Sequence, residues 1–314
     1  MSAPFSIIHR IMHVAVVIVG YRNSDDVLRC IAALEQSEYA DYEVVVCENG
    51  GRAAYDELTR RAPTRLKGGQ AVRIIDGGAN LGFAGGVNVG LSEAAGADAW
   101  WLLNPDTEAS PGAMGRLVER LSRGDCDAVG SALHWPDGRA QSYGGTWQSW
   151  LARAVGIGHD GVFRTAAEVE RRLGYLCGAS MMVARRFVET TGPMREDYFL
   201  YCEETEWCLR ATARRMRLGS APDAVVLHHH GTTTGDDVDR RRRSRLCAYL
   251  LERNGILLTR DRFPSHLPVV IVASLGLLVL RYAKSAAWPQ LGHGLAGWLA
   301  GVMNRRGAPT WLTV

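Results

Sequence analysis

The chain has 314 residues, 47% of them hydrophobic. That is enough to bury a sizeable core, and it excludes a disordered or disulfide-framework protein. The net charge is only +3. It is split, however, between an acidic body (24 Lys+Arg against 31 Asp+Glu in residues 1–239) and a basic tail (12 against 2 in 240–314). Such a tail suits an anionic partner, and its apolar content favours a membrane surface over nucleic acid. The seven cysteines show no CxxC spacing, which reads as reduced thiols in a cytoplasmic compartment. The opening "MSAPFSIIHRIMH" lacks the apolar core and cleavage site of a secretory leader.

The first half alternates between strand and helix patterns. A continuous apolar strand over His13–Gly20 is followed by a helix that Ser24 and Asp25 can cap, running to about Gln36. A strand at Tyr42–Cys47, a helix at Ala53–Arg61 and a strand at Ala71–Asp76 come next. Then follow a helix over Ala84–Ala95, a strand at Ala99–Asn104, a helix opened by Pro111 and a strand at Asp127–Leu133. This alternation predicts an α/β fold with a mostly parallel sheet, in which ligands bind beyond the carboxyl ends of the strands. Residues 134–174, rich in Trp and Gly, predict a hairpin or loop region. A strand over Tyr175–Arg185, a short helix and a strand ending in His228 complete the body. Helices near 241–261, 268–285 and 288–305 follow, the second containing a 14-residue apolar run, Leu267–Leu280. That run is short for a membrane span and suits an interfacial or re-entrant helix, or a buried core helix.

Several stretches carry candidate chemistry. "LLNPDTE" sets Asp106 just past a buried strand, placed either to hold a divalent metal against a diphosphate or to cap the next helix. "GGANLGFAGGVNVGL" enters a helix and suits close approach to phosphate, but matches neither a Walker loop nor GxGxxG. Glu48 ends a strand where an acid commonly meets a ribose or base, or closes a turn. His228, His229 and His230 alternate faces, so they cannot all bind one metal, though one could ligate; His229 and His230 read as structural. "FLYCEETEWCLR" places Glu203, Glu204 and Glu206 at a helix start beside aromatic residues. The helix dipole and an Arg210 partner account for Glu206. Partial burial of its neighbours raises carboxylate pKa values and suits a general base.

Together, "VVIVGYRNSDDVLRCIAAL", "VVVCENGG", "NLGFAGGVNVGL", "WWLLNPDTE" and "CGASMMVARRFVETTGPMREDYFLYCEETEWCLRA" resemble, in this order, the family 2 inverting glycosyltransferases, particularly the rhamnosyltransferase-like branch. The resemblance spans His13 to about His230. It implies a GT-A fold, with a Rossmann-like nucleotide-sugar half at about 13–133 and an acceptor half at about 134–239. A helical C-terminal region over 240–314 would touch the inner face of the membrane. It further implies a dTDP- or UDP-sugar donor, a glycan or lipid-linked acceptor, and Mn²⁺ or Mg²⁺, with no nucleic-acid partner. Asp106 matches the last acid of the family's DxD-like motif, Asn104 stands where its first acid often is, and His228 matches the strand-end histidine that completes the metal site. Gly20, Tyr21, Glu48, Asn80, Gly82 and Asn88 match the surroundings of the nucleotide. Glu204 matches the catalytic base, Glu203 its orienting neighbour, while Glu206 reads as structural. Arg240–Arg243 would meet lipid phosphates, close over the donor diphosphate, or serve as a solvated linker. The rival readings are a nucleotidyltransferase and a dehydrogenase, which lack their glycine signatures after the first strand, and a non-catalytic sugar-binding or scaffold protein on the same fold.

Overall fold

The computed structural model describes residues 11–229, 237 and 239–312. Most of the N-terminal stretch read for a leader, together with His230, lies outside the described residues. The chain opens with β1 (Val14–Gly20), α1 (Ser24–Leu34), β2 (Tyr42–Glu48), α2 (Arg52–Arg61), β3 (Val72–Asp76), α3 (Gly82–Glu93) and β4 (Ala99–Leu103). It continues through β5 (Thr107–Ala109), α4 (Ala113–Ser122), β6 (Ala128–His134), β7 (Ala140–Ser142), β8 (Gly145–Gln148), β9 (Arg153–Gly156) and α5 (Ala166–Glu170). The body closes with β10 (Ser180–Ala184), α6 (Arg185–Thr191), α7 (Glu203–Ala213) and β11 (Leu218–His228), and three helices follow: α8 (Arg245–Arg262), α9 (Leu267–Lys284) and α10 (Trp288–Val302).

Nine strands form one sheet, ordered β3-β2-β1-β4-β10-β6-β11-β5, with β7 paired to β6. β3, β2, β1 and β4 are parallel, while β10 runs antiparallel between β4 and β6. β1 shows why the pattern is legible. Its run VAVVIVG is β-branched throughout the middle and buried on both faces, as expected of a central strand covered by helices on each side. α1 turns Val27, Cys30, Ile31 and Leu34 to that core, a helical stripe at spacings of three and four. The chain goes from β1 outward through β2 to β3, then returns to β4 on the other side of β1. This reversal opens a crevice at the carboxyl ends of β1 and β4.

Two expectations change. The strand expected over Tyr175–Arg185 is only Ser180–Ala184; the turn before it, Tyr175–Ala179, supplies cleft wall instead. The apolar run 267–280 lies within a longer helical stretch, Pro264–Lys284, whose 21 residues and mean hydropathy of 1.8 make it long and apolar enough to cross a membrane by length and composition. Only one stripe of α9 is buried, Val270, Ser274, Leu278 and Tyr282, at a spacing of four residues. Its other faces carry exposed Val269, Val272, Val279 and Leu280. The 134–174 region does contain a hairpin, β8 paired with β9.

Candidate active site

A cavity of about 680 Å³ lies at the carboxyl edge of the sheet. Tyr21, Asn80, Gly82, Asn104, Asp106, Glu203, Glu204 and His228 all line it, so residues scattered over more than 200 positions share one space. Arg240, Arg243, Leu246 and Leu312 of the C-terminal region line it as well.

On the sheet side, Asp106 follows β4 on an Asn-Pro-Asp turn tied down by Thr107 Oγ1, which donates to the Asn104 carbonyl at 2.7 Å. The Asp106 carbonyl accepts from the His229 amide at 3.0 Å, which holds the end of β11 beside this turn. The side chains meet there: Asp106 Oδ1 lies 3.4 Å from His228 Nε2, both residues being buried. Gln141, on β7, sets the ring. Its amide nitrogen donates to the His228 carbonyl at 3.4 Å, leaving its oxygen to accept from Nδ1 at 2.8 Å. With Nδ1 carrying the proton, the Nε2 lone pair faces the Asp106 carboxylate. Two electron-pair donors converging on one spot fit a divalent cation, and a hydrogen-bonded outer nitrogen is the usual support of a metal-binding imidazole. Among the described residues no group of three or more His, Cys, Asp and Glu forms a complete metal cage. The remaining ligands would be diphosphate oxygens and water, as suits a hard cation. Sequence reading missed Gln141, and nothing in its local pattern signals the role.

The glycine-rich loop forms a second wall. Asn80 Oδ1 accepts from the Gly82 amide at 3.1 Å, and the Phe83 amide at the start of α3 donates to the Phe199 carbonyl at 2.8 Å. Gly82 has φ +72°, and a Cβ there would stand 2.1 Å from the Phe199 carbonyl oxygen. Only glycine therefore lets this loop touch the segment that leads to the glutamates.

Those glutamates sit at the start of α7, and the approach to them is strained. Phe199, Tyr201 and Cys202 have φ of 69°, 70° and 67°, a region that side-chain-bearing residues seldom occupy. The surrounding structure holds them there. Asn254 of α8, fully buried, donates through Nδ2 to the carbonyls of Tyr198, Leu200 and Tyr201 at 3.1, 2.8 and 2.8 Å. Arg253 donates to the Tyr198 carbonyl at 2.8 Å and orients the Asn254 amide from Nε at 2.8 Å. Beneath, Asp261 accepts from the Tyr198 hydroxyl at 2.7 Å and pairs with Arg195 and Arg306 at 2.7 and 2.8 Å. α8 is thus part of the scaffold of the site, a role its sequence pattern does not announce.

The result is a pair of carboxylates in apolar surroundings. Glu203 is 2% exposed and its Oε2 has no hydrogen-bond partner among the described residues. Burial, and then the charge of Glu204, push it well above the usual carboxylate range. Burial likewise raises Glu204, which keeps one edge on the cavity and accepts a long 3.4 Å bond from Thr205 Oγ1. Gly178 lies beside it, where an added Cβ would stand at ordinary contact distance, 3.4 Å from Glu204 Cγ. Glu206 points away and is held by Arg210 at 3.1 Å and Arg262 at 3.4 Å, in keeping with a structural part.

Three expected nucleotide contacts lie elsewhere. Asn88 is outside the cavity lining; its side chain pins the 194–196 segment, donating to the Met194 carbonyl and Glu196 at 2.8 Å and accepting from the Met194 amide at 2.9 Å. Glu48 lies behind the wall, fully buried, with Oε1 accepting from the Arg22 and Gly50 amides at 3.0 and 2.7 Å. Gly20 gives that carboxylate room: a Cβ there would meet Glu48 Oε2 at 2.6 Å. Glu48 and Gly20 therefore shape the floor, while Tyr21 and Asn49 face the cavity.

The family model for glycosyl transferase family 2 matches residues 15–191, more than half of the chain. A hexosyltransferase of low-salt glycan biosynthesis, Agl10 from Haloferax volcanii, is 22% identical over 94% of this chain and 92% of its own. An N-acetylglucosaminyl-diphospho-decaprenol L-rhamnosyltransferase from Mycobacterium tuberculosis is 28% identical over 68% of this chain and 75% of its own. Among solved structures, the mannosyltransferase PcManGT from Pyrobaculum calidifontis, in complex with GDP-Man and Mn²⁺, superposes with a TM-score of 0.57 at 14% identity. It covers 95% of this chain and 89% of its own. TarS 1-349 of S. aureus gives a TM-score of 0.54 at 11% identity over 94% of this chain and 82% of its own. The sheet, its flanking helices and the C-terminal helices are those of a GT-A glycosyltransferase.

Proposed function

The chain belongs to glycosyl transferase family 2, and from that premise we propose that it moves rhamnose or a similar hexose, with inversion, from a dTDP- or UDP-sugar to a hydroxyl of a glycan or lipid-linked acceptor in cell-surface polysaccharide synthesis. One observation carries the reading: the Asp106–His228 pair and the raised carboxylate of Glu204 open onto the same cavity. Inverting transfer needs one base to take the acceptor proton and one site to hold the leaving diphosphate, with no covalent nucleophile. Glu204 is the base, and its raised affinity for a proton suits that task. Glu203, beneath it, orients the pair. Asp106 and His228 would hold Mn²⁺ or Mg²⁺, which when bound would offset the charge developing on the departing nucleoside diphosphate. Asn104, Asn80, Gly82 and Tyr21 line the donor side.

The acceptor side points to a membrane. α9 and α10, within the basic C-terminal region, expose Val272, Leu280, Trp288 and Leu299 at more than half of their surface each. A peripheral position on the cytoplasmic face of the cell membrane would let these side chains enter the interface and bring a lipid-linked acceptor to the cleft.

The test is thermal stability in the presence of dTDP, UDP, GDP or NAD, each with and without Mn²⁺. Manganese-dependent stabilisation by one nucleoside diphosphate is the expected result, at roughly 2.7 kcal/mol for a hundredfold excess over Kd. A response to NAD alone overturns the reading.

A further inference from the structure

We propose that Arg306 is a positioning residue for Glu204: it fastens the turn at 195–198, where the strained approach to the glutamates begins, to α8, although it lies 109 positions after Asp197 in the chain. The proposal rests on the glycosyl-transfer reading and adds to it a residue far outside the segments that line the reaction.

Four charges close a ring here. Arg306 Nη1 donates to Asp197 at 2.9 Å and to Asp261 at 3.0 Å, and its Nη2 donates to the other oxygen of Asp261 at 2.8 Å. Arg195 meets the same two carboxylates, Asp197 at 3.0 and 2.6 Å and Asp261 at 2.7 Å. Each cation touches both anions, and such a network holds its members more firmly than a lone surface pair. Burial by itself would raise the Asp261 carboxyl. The bonds from Arg306 and Tyr198, with the charges of Arg195 and Arg306, outweigh it and keep Asp261 below its ordinary value. Asp261 is therefore an ionised, fixed acceptor for the Tyr198 hydroxyl, which donates to it at 2.7 Å.

The ring matters because of where its members lie. Asp197 and Tyr198 belong to the short helical turn Glu196–Tyr198, and the next residue, Phe199, is the first of the three held at positive φ before Glu203. Asp261 stands in the last turn of α8, the helix that also carries Arg253 and Asn254. The backbone repeats the connection. The Gly307 amide donates to the Asp197 carbonyl at 2.7 Å, and the Gly307 carbonyl accepts from Arg253 Nη1 at 2.6 Å, while Arg253 Nη2 holds the Tyr198 carbonyl at 2.8 Å. Asn254 thus fixes the carbonyls of the approach, and Arg306 fixes its root. A shift at that root is carried to Glu204, and a displacement of about 1 Å at a reacting group costs about a hundredfold in rate.

The experiment is hydrogen–deuterium exchange on the full chain, with turnover and nucleotide binding measured on the same variants. In Arg306→Ala, peptides covering 198–206 should exchange about tenfold faster while those of β1 and β4 keep the wild-type rate. Binding of UDP or dTDP with Mn²⁺ should stay within about twofold, and kcat with a nucleotide sugar that the wild type turns over should fall about tenfold to a hundredfold at unchanged donor KM. Arg306→Lys should fall between, since charge remains and the bidentate fork does not. Arg305→Ala, on an exposed side chain with no partner among the described residues, should match the wild type. Tyr198→Phe removes only the hydroxyl that Asp261 holds; it should open the same peptides, and it carries the test where Arg306→Ala does not fold. Because the two side chains act through one carboxylate, their double variant should lose less in kcat than the product of the single losses. Unchanged exchange over 198–206, faster exchange spread evenly across the sheet, or fully multiplicative losses in the double variant each overturns the proposal. Failure of the glycosyl-transfer reading shows separately, as absence of any metal-dependent nucleotide binding in the wild type.

Discussion

The two sides of the cleft are built by different means. On the sheet side, Asp106 stands on a short turn directly after β4, and His228 ends β11. Their positions follow from strands that are buried and regular. On the opposite side, Glu203 and Glu204 follow three residues held at positive φ, and the hold comes from Asn254 and Arg253, some fifty positions further along the chain. One side is therefore local in origin. The other depends on distant hydrogen bonds that keep a strained backbone, the buried Glu203 and the cavity-facing Glu204 where they would not sit in an isolated peptide.

Breaking each side separately should give different signatures. Glu204→Gln removes the base but keeps its shape, so turnover should fall by about a hundredfold to ten-thousandfold. Binding of the nucleoside diphosphate should stay within a few-fold; near-normal turnover would falsify the assignment. Asp106→Ala acts on the other wall. Manganese-dependent thermal stabilisation by the nucleoside diphosphate should vanish, and its persistence would move the metal site elsewhere.

Asn254→Ala tests the remote hold. Three carbonyls lose a donor, each bond being worth about 0.5–1.5 kcal/mol. The expected outcome is a lower Tm, a reduced kcat with donor KM little changed, and a displaced acidic limb in the pH profile as Glu204 moves. A drop in Tm with kcat and the pH profile intact would make Asn254 merely structural.

The pH dependence itself sharpens the contrast. Because the folded state raises Glu204 above its ordinary value of 4.5, activity should rise with pH through that raised value, above the range of a solvated carboxylate. For stability the sign is opposite: a raised carboxylate favours folding when protonated, and that contribution is lost as pH climbs through the raised value. Glu203→Gln should therefore raise Tm relative to the wild type at pH 8 and not at pH 4. The smallest effect on the soluble enzyme is expected from Leu280→Glu, on an exposed position. It should release the protein from anionic lipid vesicles in a flotation assay without lowering Tm; retained vesicle binding would count against α9 as the contact.

Much of the donor side is legible in the sequence. Continuous apolar strands, a proline-aspartate turn and a glycine-rich helix entry are short-range patterns, and in a parallel sheet they place their ends on one edge. Glu203 and Glu204 were legible as acids beside aromatic residues, with Glu206 separable from them through Arg210. The assignments that shifted needed the third dimension. Glu48 and Asn88 carry the right chemistry, but Glu48 is buried behind the wall with Oε1 taken by backbone amides, and Asn88 is committed to a neighbouring segment. Gln141 sets the tautomer of a histidine 87 positions away, and Asn254 holds a loop fifty positions before it. A hydrogen bond spanning such distances leaves no periodicity in the sequence. The order of elements, the candidate acids and the basic, apolar tail were therefore determined by the sequence itself. Which of those groups face the cavity, and which only brace its walls, was decided by tertiary packing, because burial and partner choice depend on what the fold brings within 3 Å.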